Sequence, residues 1–140
     1  MDPHLVPRGG MSIAGIDHLV LRVKDIDASL KFYTEVLGCP VERRQAEIGL
    51  VQLRAGASLL DLVAVDGVSG RRGGPAPGAD GHNMDHVCLR VAGFAPEIAR
   101  AHLARHGVKI LSEGLRYGSS GDGYSMSILD PDGNGVELRG

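Results

Sequence analysis

Tryptophan is absent from this 140-residue chain, which has only two phenylalanines and three tyrosines. So few rings leave the core to aliphatic side chains and argue against a surface that stacks nucleic-acid bases on aromatics. Neither charge sign dominates: 15 Lys and Arg against 17 Asp and Glu give a net charge of −2. The basic stripe of a nucleic-acid binder is therefore missing. Arg43-Arg44 and Arg71-Arg72 are the basic clusters, and both read as solvated strand or loop ends. Cys39 and Cys88 are too few for a disulfide framework, which points to a reduced, cytoplasmic setting. No apolar run approaches the roughly 18 residues needed to cross a bilayer. The expected partner is a small molecule, with no nucleic acid and no membrane.

What the chain does have is a phrase spoken twice. Asp17-His18-Leu19-Val20-Leu21-Arg22-Val23 returns as Asp85-His86-Val87-Cys88-Leu89-Arg90-Val91, identical at five of seven positions. Both copies alternate apolar and polar residues as strands do. Each is followed by helix punctuation. In the first half Asp25 can cap a helix whose apolar face is Ile26, Leu30, Tyr33 and Leu37, with Gly38 at its end. In the second half Pro96 suits the first turn and Gly107 the stop. His102 and His106 on that helix are expected near its solvent side.

Short strands follow each helix, at 40–45, 48–53 and 58–65, then at 109–115, 124–130 and 136–139. Asp130-Pro131-Asp132-Gly133-Asn134 reads as a tight turn between the last two. The order is βαβββ twice, an α+β fold of two modules, 14–66 and 83–140, joined by a Gly-, Pro- and Arg-rich linker at 67–82. Two such modules, each with a helix on one sheet face, are expected to curl into a cup with helices outside. Leu5-Val6-Pro7-Arg8-Gly9 looks like a thrombin cleavage site, so residues 1–13 are expected to be an expression leader and disordered start. The glycine-rich stretch 117–124 is expected to be a mobile rim or lid over the cleft.

Strand alternation sorts the chemistry. Leu19, Leu21 and Val23 share the helix-facing side, and His18, Val20 and Arg22 share the other. His86, Cys88 and Arg90 fall equivalently. Asp61 and Glu137 each lie amid aliphatic residues on a late strand, where a carboxylate requires positive compensation from Arg22, Arg90 or a metal. His18, His86, Asp61 and Glu137 together make a nitrogen and oxygen donor set suited to Fe(II), Mn(II), Ni(II), Co(II) or Zn(II). Cys88 has no adjacent base and reads as a small cup-lining residue.

Ile16-Asp17-His18, Phe32-Tyr33 with Leu37-Gly38, Asp85-His86, and Asp130 to Asn134 followed by Val136-Glu137-Leu138 together resemble the vicinal oxygen chelate superfamily. That superfamily holds glyoxalases, extradiol dioxygenases and bleomycin resistance proteins. The resemblance implies metal ligands at His18, His86 and Glu137, with a fourth at Asp61 in the glyoxalase-like branch. It also implies a substrate contact at Arg22, on the face where alternation sets Val20, Cys88 and Arg90 as substrate-lining residues, and a homodimer whose sites draw on both subunits. Two readings stand for Asp61, metal ligand or ion-pair partner, and two for Arg22, substrate contact or counter-ion.

Chemistry follows from the ligand count. Four protein ligands leave two positions for vicinal substrate oxygens, with Glu137 first and Asp61 second as proton carrier, which is glyoxalase, lyase or isomerase chemistry. Three ligands suit an Fe(II) extradiol dioxygenase. The third reading is a metal-free binding protein of the resistance type.

Overall fold

The computed structural model describes residues 11–140, so residues 1–10 of the expected leader lie outside the described residues. The first module runs β1 (His18–Val23), α1 (Ile26–Lys31), β2 (Val41–Gln45), β3 (Leu50–Ala55) and β4 (Ser58–Ala64). The second runs β5 (His86–Arg90), α2 (Pro96–Arg105), β6 (Ser112–Gly118), β7 (Gly121–Leu129) and β8 (Gly135–Arg139). Each module forms a four-stranded mixed sheet, ordered β1-β4-β3-β2 and β5-β8-β7-β6. The first and last strands of each module pair in parallel and the other pairs are antiparallel. This is the α+β, twice-βαβββ architecture expected from the sequence. No strand of one module is hydrogen-bonded to a strand of the other among the described residues.

Period-2 alternation sets the core. Leu21, Val23, Leu53 and Leu62 are fully buried in the first module, and Met126, Ile128, Val136 and Leu103 at most 1% exposed in the second. Asp25 caps α1, its carboxylate accepting from the amides of Asp27 and Ala28 at 3.1 Å each. The helix then widens into a π-turn at Phe32–Val36. That extra residue per turn carries Phe32 and Tyr33 inward together, edge to face with ring centroids 5.1 Å apart. Gly38, at φ 71°, ends the segment in a conformation that a side chain would strain.

The turn at Asp130 to Asn134 does more than reverse the chain. Asp130 accepts from its own turn, through the amides of Asp132 and Asn134 at 2.9 Å each and the Asn134 side chain at 2.8 Å. It also accepts from the Tyr33 hydroxyl at 2.7 Å. Asp132 accepts from the Lys24 amide at 3.0 Å and the Ser29 hydroxyl at 3.2 Å. Two buried carboxylates thus fasten the second module to α1 and its approach. The Asn83 side chain bridges in the same way, donating to the Arg22 carbonyl at 3.0 Å and the Asn134 side chain at 3.3 Å.

Several expectations change: β6 runs 112–118 rather than the expected 109–115, and β7 starts at Gly121 rather than at the expected 124. The strand expected at 48–53 starts at Leu50, because Ala46–Ile48 forms a 3₁₀ turn closed by Gly49 at φ 67°. The stretch 117–124 forms a tight hairpin, with Ser119-Ser120 as its tip and both flanks paired through Gly118 and Gly121. The linker, too, is fastened: it makes a 3₁₀ turn at Gly70–Gly73 and a bridge between Gly78 and Gly81.

Candidate metal centre and substrate face

Each module presents one histidine and one carboxylate on its helix-free face. In the second, Cys88 is the register partner of Glu137 and His86 stands one step along β5. His86 Nε2 lies 3.6 Å from Glu137 Oε1, and the Cys88 thiol donates to Glu137 Oε2 at 3.5 Å. In the first, Val20 is the register partner of Asp61, with His18 one step along β1. Glu137 is half-buried, whereas Asp61 is only 5% exposed.

Both histidines are oriented by the residue before them. His18 Nδ1 lies 2.7 Å from Asp17 Oδ1, and His86 Nδ1 lies 2.5 Å from Asp85 Oδ2. A ring tied through Nδ1 turns Nε2 the other way, as in carboxylate–histidine–metal arrangements. The hydrogen bond that His18 donates to the Asp17 carboxylate raises the His18 pKa most, with the Asp61 carboxylate adding to it. Sequence reasoning passed over these aspartates, although the repeated phrase begins with them.

The structure pairs His18 with Asp61 and His86 with Glu137, but it does not bring all four together. Among the described residues no group of three or more His, Cys, Asp or Glu side chains is placed to hold a metal. Within one chain the four donors fall into two separate pairs, one in each module. Asp61 has a further tie: both its oxygens accept from the Gln52 amide at 3.2 Å. It is therefore compensated by a neutral amide rather than by an arginine.

The arginines divide sharply. Arg22 donates to the carbonyls of Gly70 at 2.9 Å, Gly73 and Pro75 at 3.1 Å each, and Gly74 at 2.6 Å. Its donors are engaged by the linker, and among the described residues it forms no ion pair with a carboxylate. Arg90 remains exposed on the same face as Cys88 and reaches Ser119 and Ser120. Val20 is 46% exposed beside Asp61, as a lining residue would be. Burial, and then the Glu137 carboxylate, push the Cys88 thiol up to about 11, which suits lining rather than nucleophilic attack. His102 departs from its expected solvent position, its Nε2 bonding the Val36 carbonyl at 2.7 Å across the module boundary.

Paired βαβββ modules, each with a strand histidine facing a late-strand carboxylate, define a class of small-molecule proteins. The profile of the Glyoxalase/Bleomycin resistance protein/Dioxygenase superfamily matches residues 15–138, and the chain belongs to that superfamily. It is 30% identical to virulence protein STM3117 of Salmonella typhimurium over 91% of this chain and 85% of that protein. The crystal structure of STM3117 superposes with a TM-score of 0.77 at 27% identity, covering 92% of this chain and 98% of that one. A lactoylglutathione lyase from Agrobacterium tumefaciens matches with a TM-score of 0.66 at 24% identity, over 91% of this chain and 94% of that one. The antibiotic-binding protein TnmS3 from Streptomyces matches with a TM-score of 0.67 at 21% identity, over 93% of this chain and 98% of that one. Those last two likenesses speak for the fold alone. No helix among the described residues is long and apolar enough to cross a membrane.

Proposed function

We propose that this protein is a divalent-metal-dependent enzyme of lyase or isomerase type, acting on a small molecule that offers two vicinal oxygens. The observation that carries this reading is the duplicated orientation of His18 and His86, each tied through Nδ1 to the preceding aspartate beside a late-strand carboxylate. A histidine packed merely as a core residue has no need of such a partner twice over. The half-sites are completed between copies, with His18 and Asp61 of one protomer meeting His86 and Glu137 of the partner subunit. Ni, Co, Mn, Zn and Fe all suit that set.

When bound, the metal supplies Lewis acidity toward the two substrate oxygens. The protein's own part is to place and move a proton. Glu137 is the first candidate to carry it, because it is partly exposed, unlike Asp61, and the Cys88 thiol and His86 steady its oxygens. Val20 and Cys88 supply a small, weakly polar wall beside the carboxylates.

A second reading draws on Gln52. Its amide engages both Asp61 oxygens, which favours Asp61 staying off the metal. His18, His86 and Glu137 would then form the two-histidine, one-carboxylate set of an Fe(II) extradiol dioxygenase. Metal analysis after loading, alongside a measurement of oligomeric state, tests the first reading. Wild-type protein should be a dimer holding one metal per chain, and His86→Ala should hold far less. Equal, near-zero metal in both proteins would overturn both metal-dependent readings and leave the metal-free binding protein. Catechol-dependent oxygen uptake by the iron form would favour the dioxygenase.

A further inference from the structure

On the helix-free face of the second sheet, Arg90 and Arg139 are register partners on neighbouring parallel strands. Like charges placed opposite one another on one sheet face oppose folding unless something offsets them. No acidic side chain does so here: neither guanidinium lies in a salt bridge with Asp or Glu among the described residues. Arg139 is only 4% exposed, and its partners are main-chain oxygens: the carbonyls of Arg116 at 3.3 Å and Gly121 at 2.9 Å, and the main-chain oxygen of Gly140, the last described residue, at 3.4 Å. A buried guanidinium with no acidic side chain against it is a costly arrangement.

The hairpin is shaped around this charge. A Cβ on Gly118 would lie 2.1 Å from Arg139 Nη1, and one on Gly123 would lie 2.3 Å from its Nη2. Two side-chain-free positions make room for the guanidinium. Arg90, in front, is forked: Nη1 donates to Ser120 Oγ at 2.9 Å and Nη2 to Ser119 Oγ at 3.2 Å. Two oxygens facing the two ends of one guanidinium occupy the positions that a carboxylate or phosphate would take. The first module has no counterpart, since Arg22 is consumed by the linker and its register partner is Val63.

We infer that Arg90 and Arg139, with the Ser119 and Ser120 hydroxyls, form an oxyanion subsite, so that the substrate is a small molecule carrying a carboxylate or phosphate as well as its vicinal oxygens. The subsite lies one two-residue step along the strands from Cys88 and Glu137, about 7 Å. Arg90 makes the direct bidentate contact and Arg139 supplies the second charge from behind. The serine hydroxyls, acceptors from Arg90 while the subsite is free, rotate to donate to the anion. This assignment deepens the proposed function and rests on it for the location of the vicinal oxygens.

Calorimetric titration of metal-free protein with inorganic phosphate, at fixed ionic strength in chloride, tests the subsite without any turnover. Wild type should bind saturably at one site per chain, and Arg90→Gln should bind about 10- to 100-fold more weakly. A Ser119→Ala/Ser120→Ala variant, which leaves both charges in place, should lose a smaller share. Circular dichroism and metal loading of Arg90→Gln should match wild type, which separates loss of the subsite from loss of fold. Undetectable phosphate binding by wild type, or equal binding by Arg90→Gln, overturns the proposal. Metal loading without phosphate binding would remove the subsite and leave the proposed function standing. Phosphate binding lost in Arg90→Gln, with no metal loading of either protein, would keep the subsite and remove the metal-dependent function.

Discussion

The Tyr33 hydroxyl donates to the Asp130 carboxylate at 2.7 Å, joining the first module's helix to the turn between the last two strands of the second. Both residues are buried, so the bond is charge-assisted and shielded from water. Tyr33→Phe keeps the ring and removes the donor. It should lower unfolding free energy by about 1.5–3 kcal/mol, read from urea denaturation.

The same pair predicts a pH dependence. Burial, and then the Asp130 carboxylate, hold the Tyr33 hydroxyl far above its ordinary value of 10.0. The folded state keeps that proton where the unfolded state releases it. The bond's contribution is therefore complete below about pH 10 and is lost as pH rises beyond it. Urea midpoints should fall more steeply between pH 9 and 11 in wild type than in Tyr33→Phe. Parallel curves would show that other groups govern alkaline unfolding.

Asp85→Asn tests the orientation of His86. The amide cannot hold the ring as the carboxylate does, and metal affinity should drop about 10- to 100-fold in competition with a chromophoric chelator. Secondary structure should be unchanged, since Asp85 is exposed. Affinity equal to wild type would show that Asp85 does not set the ring.

Gly70 lies where the linker packs against the end of β4. A Cβ there would stand 1.8 Å from the Ala64 carbonyl oxygen, so Gly70→Ala must displace backbone. The displaced turn would also release the Arg22 guanidinium from the Gly70 carbonyl. A loss of about 1–3 kcal/mol is expected by thermal unfolding, with metal loading equal to that of wild type.

Cys88 is exposed yet should alkylate slowly. With its thiol pushed up to about 11, the iodoacetamide rate should keep rising through pH 10, where an ordinary thiol levels off. Mass spectrometry of the modified peptide reads this directly. A plateau near pH 9 would mean that neither Glu137 nor burial governs the thiol.

Much of the site was legible because the repeat and the strand period are local facts. Alternation placed His18, Val20 and Arg22 on one face and Leu21 and Val23 on the other, since side chains of a strand must alternate. The aspartates before each histidine were equally visible but carried no periodic signal. The role of Asp130 and Asp132 was hidden for a different reason. A turn motif satisfies a local rule, whereas its acceptance of hydrogen bonds from Ser29 and Tyr33 depends on residues about a hundred positions away.

By itself the sequence determined two βαβββ modules, the residues on each helix-free face, and the pairing of each histidine with a carboxylate on the last strand of its own module. These follow from nearest-neighbour geometry, which a short stretch of chain encodes. Only the tertiary structure decided that Arg22 is spent on the linker, that Arg90 faces Arg139, and that the His18 and His86 pairs stay separate within the chain. A long side chain goes wherever acceptors lie within reach, and packing of the whole molecule sets which acceptors those are.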